Sequence, residues 1–284
     1  MKSIAILGAG ELGATLARLL ADREQVQHVV LVDRDDGRAR GKALDIRQAG
    51  PVEGSDMAVD GAPDLAAAGP VDVVVVADTP DLADREGASN RVGDFMRALV
   101  PALGKSLLLI ARADAAPLIE AAVRSGLPRA RVFGSMPVAV AAALRRRLAT
   151  ELRAEPREIA ALALGDLPDH IVMPRGSATL AGLSIERLSP GAARAALDAT
   201  RGCWPGPVAL AAAAARILRA LASKRSTLLP VVAALDGEYG YRRIALAVPA
   251  RLGPGGMEEV VEYALDPADR TAFDTGAQRR LEAR

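Results

Sequence analysis

The chain has 284 residues, with 36 Lys and Arg against 35 Asp and Glu, for a net charge of +1. That balance leaves no cationic surplus to displace phosphate counterions, and an aromatic share of 2% leaves few platforms for stacked bases, so nucleic-acid binding is excluded. At 50% hydrophobic and 25% charged the composition is globular, and the longest uncharged stretch, Gly202–Ala215, is too short and too rich in Gly and Pro to span a bilayer.

Met1-Lys2 leads directly into an apolar run, Ser3–Leu7, which predicts a first strand. Further short apolar runs, often β-branched and each followed by a turn or a charge, predict strands at His28–Asp33, Met57–Val59, Val71–Ala77, Ser106–Ala111 and Val132–Phe133. Helices are predicted between them at Glu11–Ala21, Asp36–Ala49, Arg91–Leu103 and Ala116–Arg124. The strands lack polar alternation, as expected of a parallel sheet covered on both faces, and strand–helix alternation gives an α/β, doubly wound domain. Beyond it the pattern becomes mixed. Strand-like runs lie in Pro174–Ile185 and Thr227–Val248, and Gly191–Arg201, Val208–Lys224 and Met257–Leu265 read as helices. The expected division is residues 1–136 and 137–284. The lone Cys203 and the lack of a leader pattern fit a cytoplasmic protein.

Gly8-Ala9-Gly10-Glu11-Leu12-Gly13 falls where the first strand hands over to the first helix. There Gly8 permits the tight turn, Gly10 lets backbone approach a pyrophosphate, and Gly13 lets helix and strand pack closely. The N–H groups of the helix start, at Glu11 and Leu12, face the anion, aided by the helix dipole. Asp33 closes the second strand about 20 residues after Gly13, where a carboxylate reaches a ribose hydroxyl. It would repel a 2′-phosphate and favours NAD over NADP, against the adjacent Arg34. Residues 1–136 are therefore expected to form a dinucleotide-binding domain.

The run Ile6–Ala17, then Leu31-Val-Asp33, Gly41–Ile46, Gln48–Gly54, Ser125–Val132 and Asp236–Gly240 together resemble the lactate/malate dehydrogenase family, in particular the lactate-dehydrogenase-like malate dehydrogenases. Ala247–Gly253 followed by Gly256–Val260 resembles that family's closing strand and last long helix. The resemblance implies a Rossmann domain followed by a mixed α/β substrate domain, assembled as a homodimer or homotetramer. It also implies oxidation of a 2-hydroxy acid with a histidine base oriented by an aspartate, an arginine clamp on the substrate carboxylate and an asparagine at the carbonyl.

Carried over position by position, Gly165-Asp166-Leu167-Pro168-Asp169 puts Leu167 where the base belongs, and the helix that should bear the aspartate and the clamp offers Val140 and Ala143. Arg112 replaces the asparagine, and the loop Asp78–Arg85 is short, with Arg85 out of register. The expectation is an NAD(H)-binding member that is not a competent malate or lactate dehydrogenase. The alternative is an NAD-dependent oxidoreductase on malate or another 2-hydroxy acid with a rebuilt site. In that case His170 or Asp166 acts as base, with Asp166 or Asp169 able to orient His170, and Arg112 or Arg85 holds an anion. His28 reads as an edge histidine, Arg145-Arg146-Arg147 as a solvated helix flank, Cys203 as inert, and no metal-ligand spacing occurs.

Overall fold

The computed structural model describes residues 1–21, 26–79 and 88–283. The chain begins β1 (Ser3–Leu7), α1 (Glu11–Ala21), β2 (His28–Val32), α2 (Asp36–Glu53), β3 (Ala58–Ala62), α3 (Leu65–Ala68), β4 (Val73–Val76) and α4 (Ala88–Ala102). It continues with β5 (Leu107–Ile110), α5 (Ala115–Arg124), β6 (Val132–Gly134), α6 (Met136–Leu152), β7 (Ile159–Ala160), β8 (Leu164–Asp166) and β9 (His170–Val172). The remainder is β10 (Thr179–Leu180), β11 (Leu183–Ser184), α7 (Ile185–Leu188), α8 (Pro190–Thr200), α9 (Pro207–Ala222), β12 (Thr227–Asp236), β13 (Arg242–Gly253), β14 (Gly256–Val260) and α10 (Pro267–Glu282).

The main sheet runs β3-β2-β1-β4-β5-β6-β12-β13-β8-β9, with β14 paired to β13. The first six strands are parallel in the doubly wound order, and antiparallel pairing begins where β6 meets β12. Alternation along each strand sends side chains to two cores. Ile4 and Ile6 pack with Leu16 of α1 and Leu144 of α6, while Ala5 and Leu7 pack with Met96 of α4 and Leu118 of α5. Strand order reverses between β1 and β4, so the crevice outside their carboxyl ends lies at the switch point where doubly wound sheets bind ligands.

Three elements differ from the sequence expectation. Met257–Leu265 is no helix. Gly253 and Gly256 bracket a turn that folds β14 back onto β13, pairing Leu252 with Met257 and Ala250 with Val260. The last long helix is instead α10, capped by Asp266, whose side chain accepts from Asp269 N at 2.8 Å. Pro174–Ile185 yields only the two-residue strands β10 and β11, because Gly176 and Gly182 take positive φ between short extended pieces. Helix α2 continues through Pro51 to Gly54, which closes it in the left-handed conformation and donates to Gly50 O.

Candidate active site

The glycine turn sits in the crevice between β1 and β4. Gly8 has φ +101°, and its N–H donates to Val32 O at 2.7 Å, which ties the turn to the end of β2. A Cβ on Gly13 would stand 1.9 Å from Gly8 O, so the start of α1 lies directly on the turn. The first bond of α1 runs from Ala14 N to Gly10 O at 3.0 Å, leaving the N–H groups of Glu11, Leu12 and Gly13 without helical acceptors. Glu11 and Leu12 thus offer donors of the kind a diphosphate takes. Asp33 is buried at the end of β2. Its carboxylate accepts from Ala9 N and Asp35 N, both at 3.0 Å, and has Arg38 at 3.9 Å. The structure therefore brings the glycine turn and Asp33 together through the Ala9 amide.

Sequence reasoning placed Asp78 at the head of a loop and missed its neighbour. It stands two residues past the end of β4, and its Oδ2 accepts from Gly13 N at 2.7 Å. The signal was present: an acid ending an apolar β-branched run sits at the carboxyl edge of a strand next to β1. Arg85 and the rest of that loop to residue 87 lie outside the described residues.

Arg112 follows β5. Its guanidinium forks onto Asp114, with Nε–Oδ1 2.7 Å and Nη2–Oδ2 2.9 Å, and Nη1 donates to Ala77 O at 3.4 Å. Val140 on α6 is buried in the larger core, Ala143 is half-buried one turn on, and Leu167 packs against that same core. His170 and Asp166 are cross-strand partners on β9 and β8. Both Cβ atoms face Gly276 of α10, at 2.9 Å for His170 and 3.4 Å for Asp166, measured from an ideal Cβ built there. His170 Nε2 lies 3.1 Å from Arg279 Nη1, while Asp169 is exposed. The two rebuilt-site candidates therefore meet each other against the last helix.

Burial pushes the Asp166 carboxyl up, against the pull of Arg280 and His170. An acid whose folded pKa is raised favours the native state most when protonated, below its ordinary value of 3.8, and that advantage disappears as pH rises through the folded value. Asp166→Asn, which stays neutral, is accordingly expected to melt higher than the parent at pH 7, with the gap closing in acid. Thermal melts across that range check it, and a variant less stable at pH 7 contradicts it.

The other candidates lie elsewhere. His28, at the start of β2, pairs with Asp60 of the edge strand β3 at 2.9 Å. Arg146 is exposed, and Arg145 and Arg147 are half-buried on α6. Cys203 is an exposed free thiol 3.8 Å from Arg147 Nη2. Among the described residues no group of three or more His, Cys, Asp or Glu could hold a metal ion, and no helix is long and apolar enough to cross a membrane.

Residues 2–90 match the family model described as lactate/malate dehydrogenase, NAD binding domain, and residues 206–283 match that of the lactate/malate dehydrogenase α/β C-terminal domain. A malate dehydrogenase of Thioalkalivibrio sulfidiphilus is 33% identical over 300 residues, covering 96% of this chain and 95% of its own. A solved malate dehydrogenase from Salinibacter ruber superposes with a TM-score of 0.88 at 30% identity, covering 99% of this chain and 95% of that one. At 21% identity, a lactate dehydrogenase from Cryptosporidium parvum, complexed with lactic acid and nicotinamide adenine dinucleotide, shares the fold with a TM-score of 0.91, over 99% of this chain and 96% of its own.

Proposed function

The chain belongs to the lactate/malate dehydrogenase family of NAD-dependent oxidoreductases, and from that membership we propose an NAD(H)-binding protein that does not competently oxidise malate or lactate. Gly8, Gly10, Glu11, Leu12, Gly13 and Asp33 hold the dinucleotide. The backbone N–H groups of Glu11 and Leu12 take the diphosphate, and Asp33 takes the adjoining ribose. Residues 1–136 form the dinucleotide-binding domain and residues 137–284 the substrate-type domain, assembled as a homodimer or homotetramer in the cytoplasm.

Bound NAD supplies a hydride acceptor, and the protein must then remove the alcohol proton. The observation that carries the reading is the character of the side chains at the positions the family uses. Leu167 and Val140 pack together with the apolar core, where neither can accept a proton nor orient a base. Arg112 has two of its N–H groups on Asp114, so a substrate carboxylate would compete with a bidentate internal partner. Absence of a general base alone typically costs about two to four orders of magnitude in rate.

The test pairs calorimetric titration with NADH and an assay of NADH oxidation by oxaloacetate or pyruvate. The expected result is binding with no oxidation above the blank. Turnover that His170→Ala abolishes favours the rebuilt site, whose support is the Asp166–His170 pairing across β8 and β9. That pair faces Gly276 of α10, which is why the first reading is preferred.

A further inference from the structure

We propose that Asp78 sets the cofactor affinity of this protein: its carboxylate fills part of the anion cradle at the start of α1, so that a dinucleotide must displace it or bind beside it. The inference rests on reading the glycine turn as the dinucleotide site. Two separate features of the turn carry it.

The first is a donor. Of the three N–H groups that α1 leaves without helical acceptors, that of Gly13 is already bonded to Asp78 Oδ2 at 2.7 Å. The carboxylate thereby takes the favourable end of the helix dipole that an anionic ligand would use. The second is space. The glycine in the middle of such a turn leaves room for the backbone to approach a diphosphate. Here a Cβ on Gly10 would stand 2.6 Å from Asp78 Cβ, 2.7 Å from its Cγ and 2.8 Å from its Oδ2. The clearance over Gly10 is therefore occupied by the chain's own side chain.

Topology explains the placement. β1 and β4 pair in parallel with Leu7 opposite Val76, and Ala77 N donates to Leu7 O at 2.9 Å, so the residue after Ala77 must emerge beside Gly8. A Cβ on Gly8 would lie 2.4 Å from the Asp78 backbone, so the two segments are in full contact. Arg112, whose Nη1 reaches the Ala77 carbonyl, has its Nε and Nη2 on Asp114. Asp78 also has a structural use. Gly10 precedes α1 with no side chain to cap it, and Asp78 supplies the missing acceptor from the segment that follows β4. Capping and competition with phosphate are the same contact viewed from two sides, and charge separates them experimentally.

Asp78→Asn keeps an acceptor oxygen for Gly13 N–H and removes the charge. Calorimetric titration with NADH is expected to show D78N binding about tenfold more tightly than the parent, the size of effect for like charges a few ångströms apart in a half-screened site. Adenosine, which carries no phosphate, is expected to bind both proteins equally, and thermal melting is expected to fall only slightly, because the acceptor is kept while the charge on the helix dipole is lost. Should D78N not fold, Asp78→Ser carries the same expectation. NADH affinity that is unchanged or weaker in a normally melting variant overturns the proposal. So does an equal gain for adenosine, since the carboxylate would then act on nucleoside packing. Tight NADH binding by the parent with no change in D78N defeats this proposal alone. No NADH binding by either protein defeats the dinucleotide reading along with it.

Discussion

Gly13→Ala is expected to lower stability by about 3 kcal/mol and to abolish NADH binding, the cost expected when added atoms meet backbone that cannot yield. The new Cβ would lie 1.9 Å from Gly8 O and 3.3 Å from Ile6 Cγ2. Gly8 cannot retreat, because its own N–H is bonded to Val32 O and its far side rests on the Asp78 backbone. Relief must come from α1 moving outward, which opens the helix-start donors and breaks the Gly13–Asp78 bond. Gly41 is the control. It lies exposed in α2 with nothing within 4 Å of a built Cβ. Gly41→Ala is therefore expected to stabilise by about 0.8 kcal/mol through helix propensity alone. Denaturant melts of both variants measure the contrast. A Gly13→Ala protein as stable as the parent would mean that the turn is far softer than its packing indicates.

The region around that turn is also where the sequence speaks most clearly. β1 and α1 have the predicted bounds because an apolar run stopped by glycine leaves one place for a strand to end and a helix to begin. The position of Asp33 just past β2, beside the glycine turn, was legible because it depends on chain spacing. Asp78 was not, because its meeting with Gly13 is made by the parallel pairing of β1 and β4, which no local pattern encodes. β14 was misread because Met257-Glu-Glu-Val-Val-Glu-Tyr-Ala-Leu265 has helix-compatible spacing, and only its antiparallel pairing with β13 decides otherwise. α10 escaped notice because its buried residues are few, Phe273, Gly276 and Ala277, though Asp266-Pro267 carries a start signal. At the candidate catalytic positions, residue identities were readable. The placement of Asp166 and His170 against α10 required the β8–β9 hairpin to be seen in register.

Glu120→Ala is expected to cost about 3–5 kcal/mol, the range for breaking a buried charge pair by removing one partner. Glu120 lies on α5 with its side chain 2% exposed, and its Oε1 accepts from the buried Ala245 N of β13 at 2.9 Å and from Arg280 Nε of α10 at 3.2 Å. One carboxylate thus joins helix α5, the interior strand β13 and the terminal helix. Truncation leaves the Ala245 N–H without that acceptor and takes from Arg280, 15% exposed, its carboxylate partner. Glu120→Gln keeps an acceptor for Ala245 and should cost distinctly less. Besides this link to α5 and β13, α10 is held by Phe273, whose ring lies 4.8 Å from that of Tyr239 and 6.3 Å from that of Tyr241, by the Tyr241 hydroxyl donating to Asp274 Oδ1 at 2.8 Å, and by Arg270 Nη2 donating to Tyr239 O at 2.8 Å. Loss of the Glu120 link should free this helix first, and with it the β8–β9 hairpin whose Asp166 and His170 rest on Gly276 and whose turn presents Leu167. Hydrogen exchange is expected to accelerate in α10, β8 and β9 of Glu120→Ala well before β1 and β4 respond. Uniform acceleration across the sheet, or equal stability of the Ala and Gln variants, would show that Glu120 does not fasten the terminal helix to the β8–β9 hairpin.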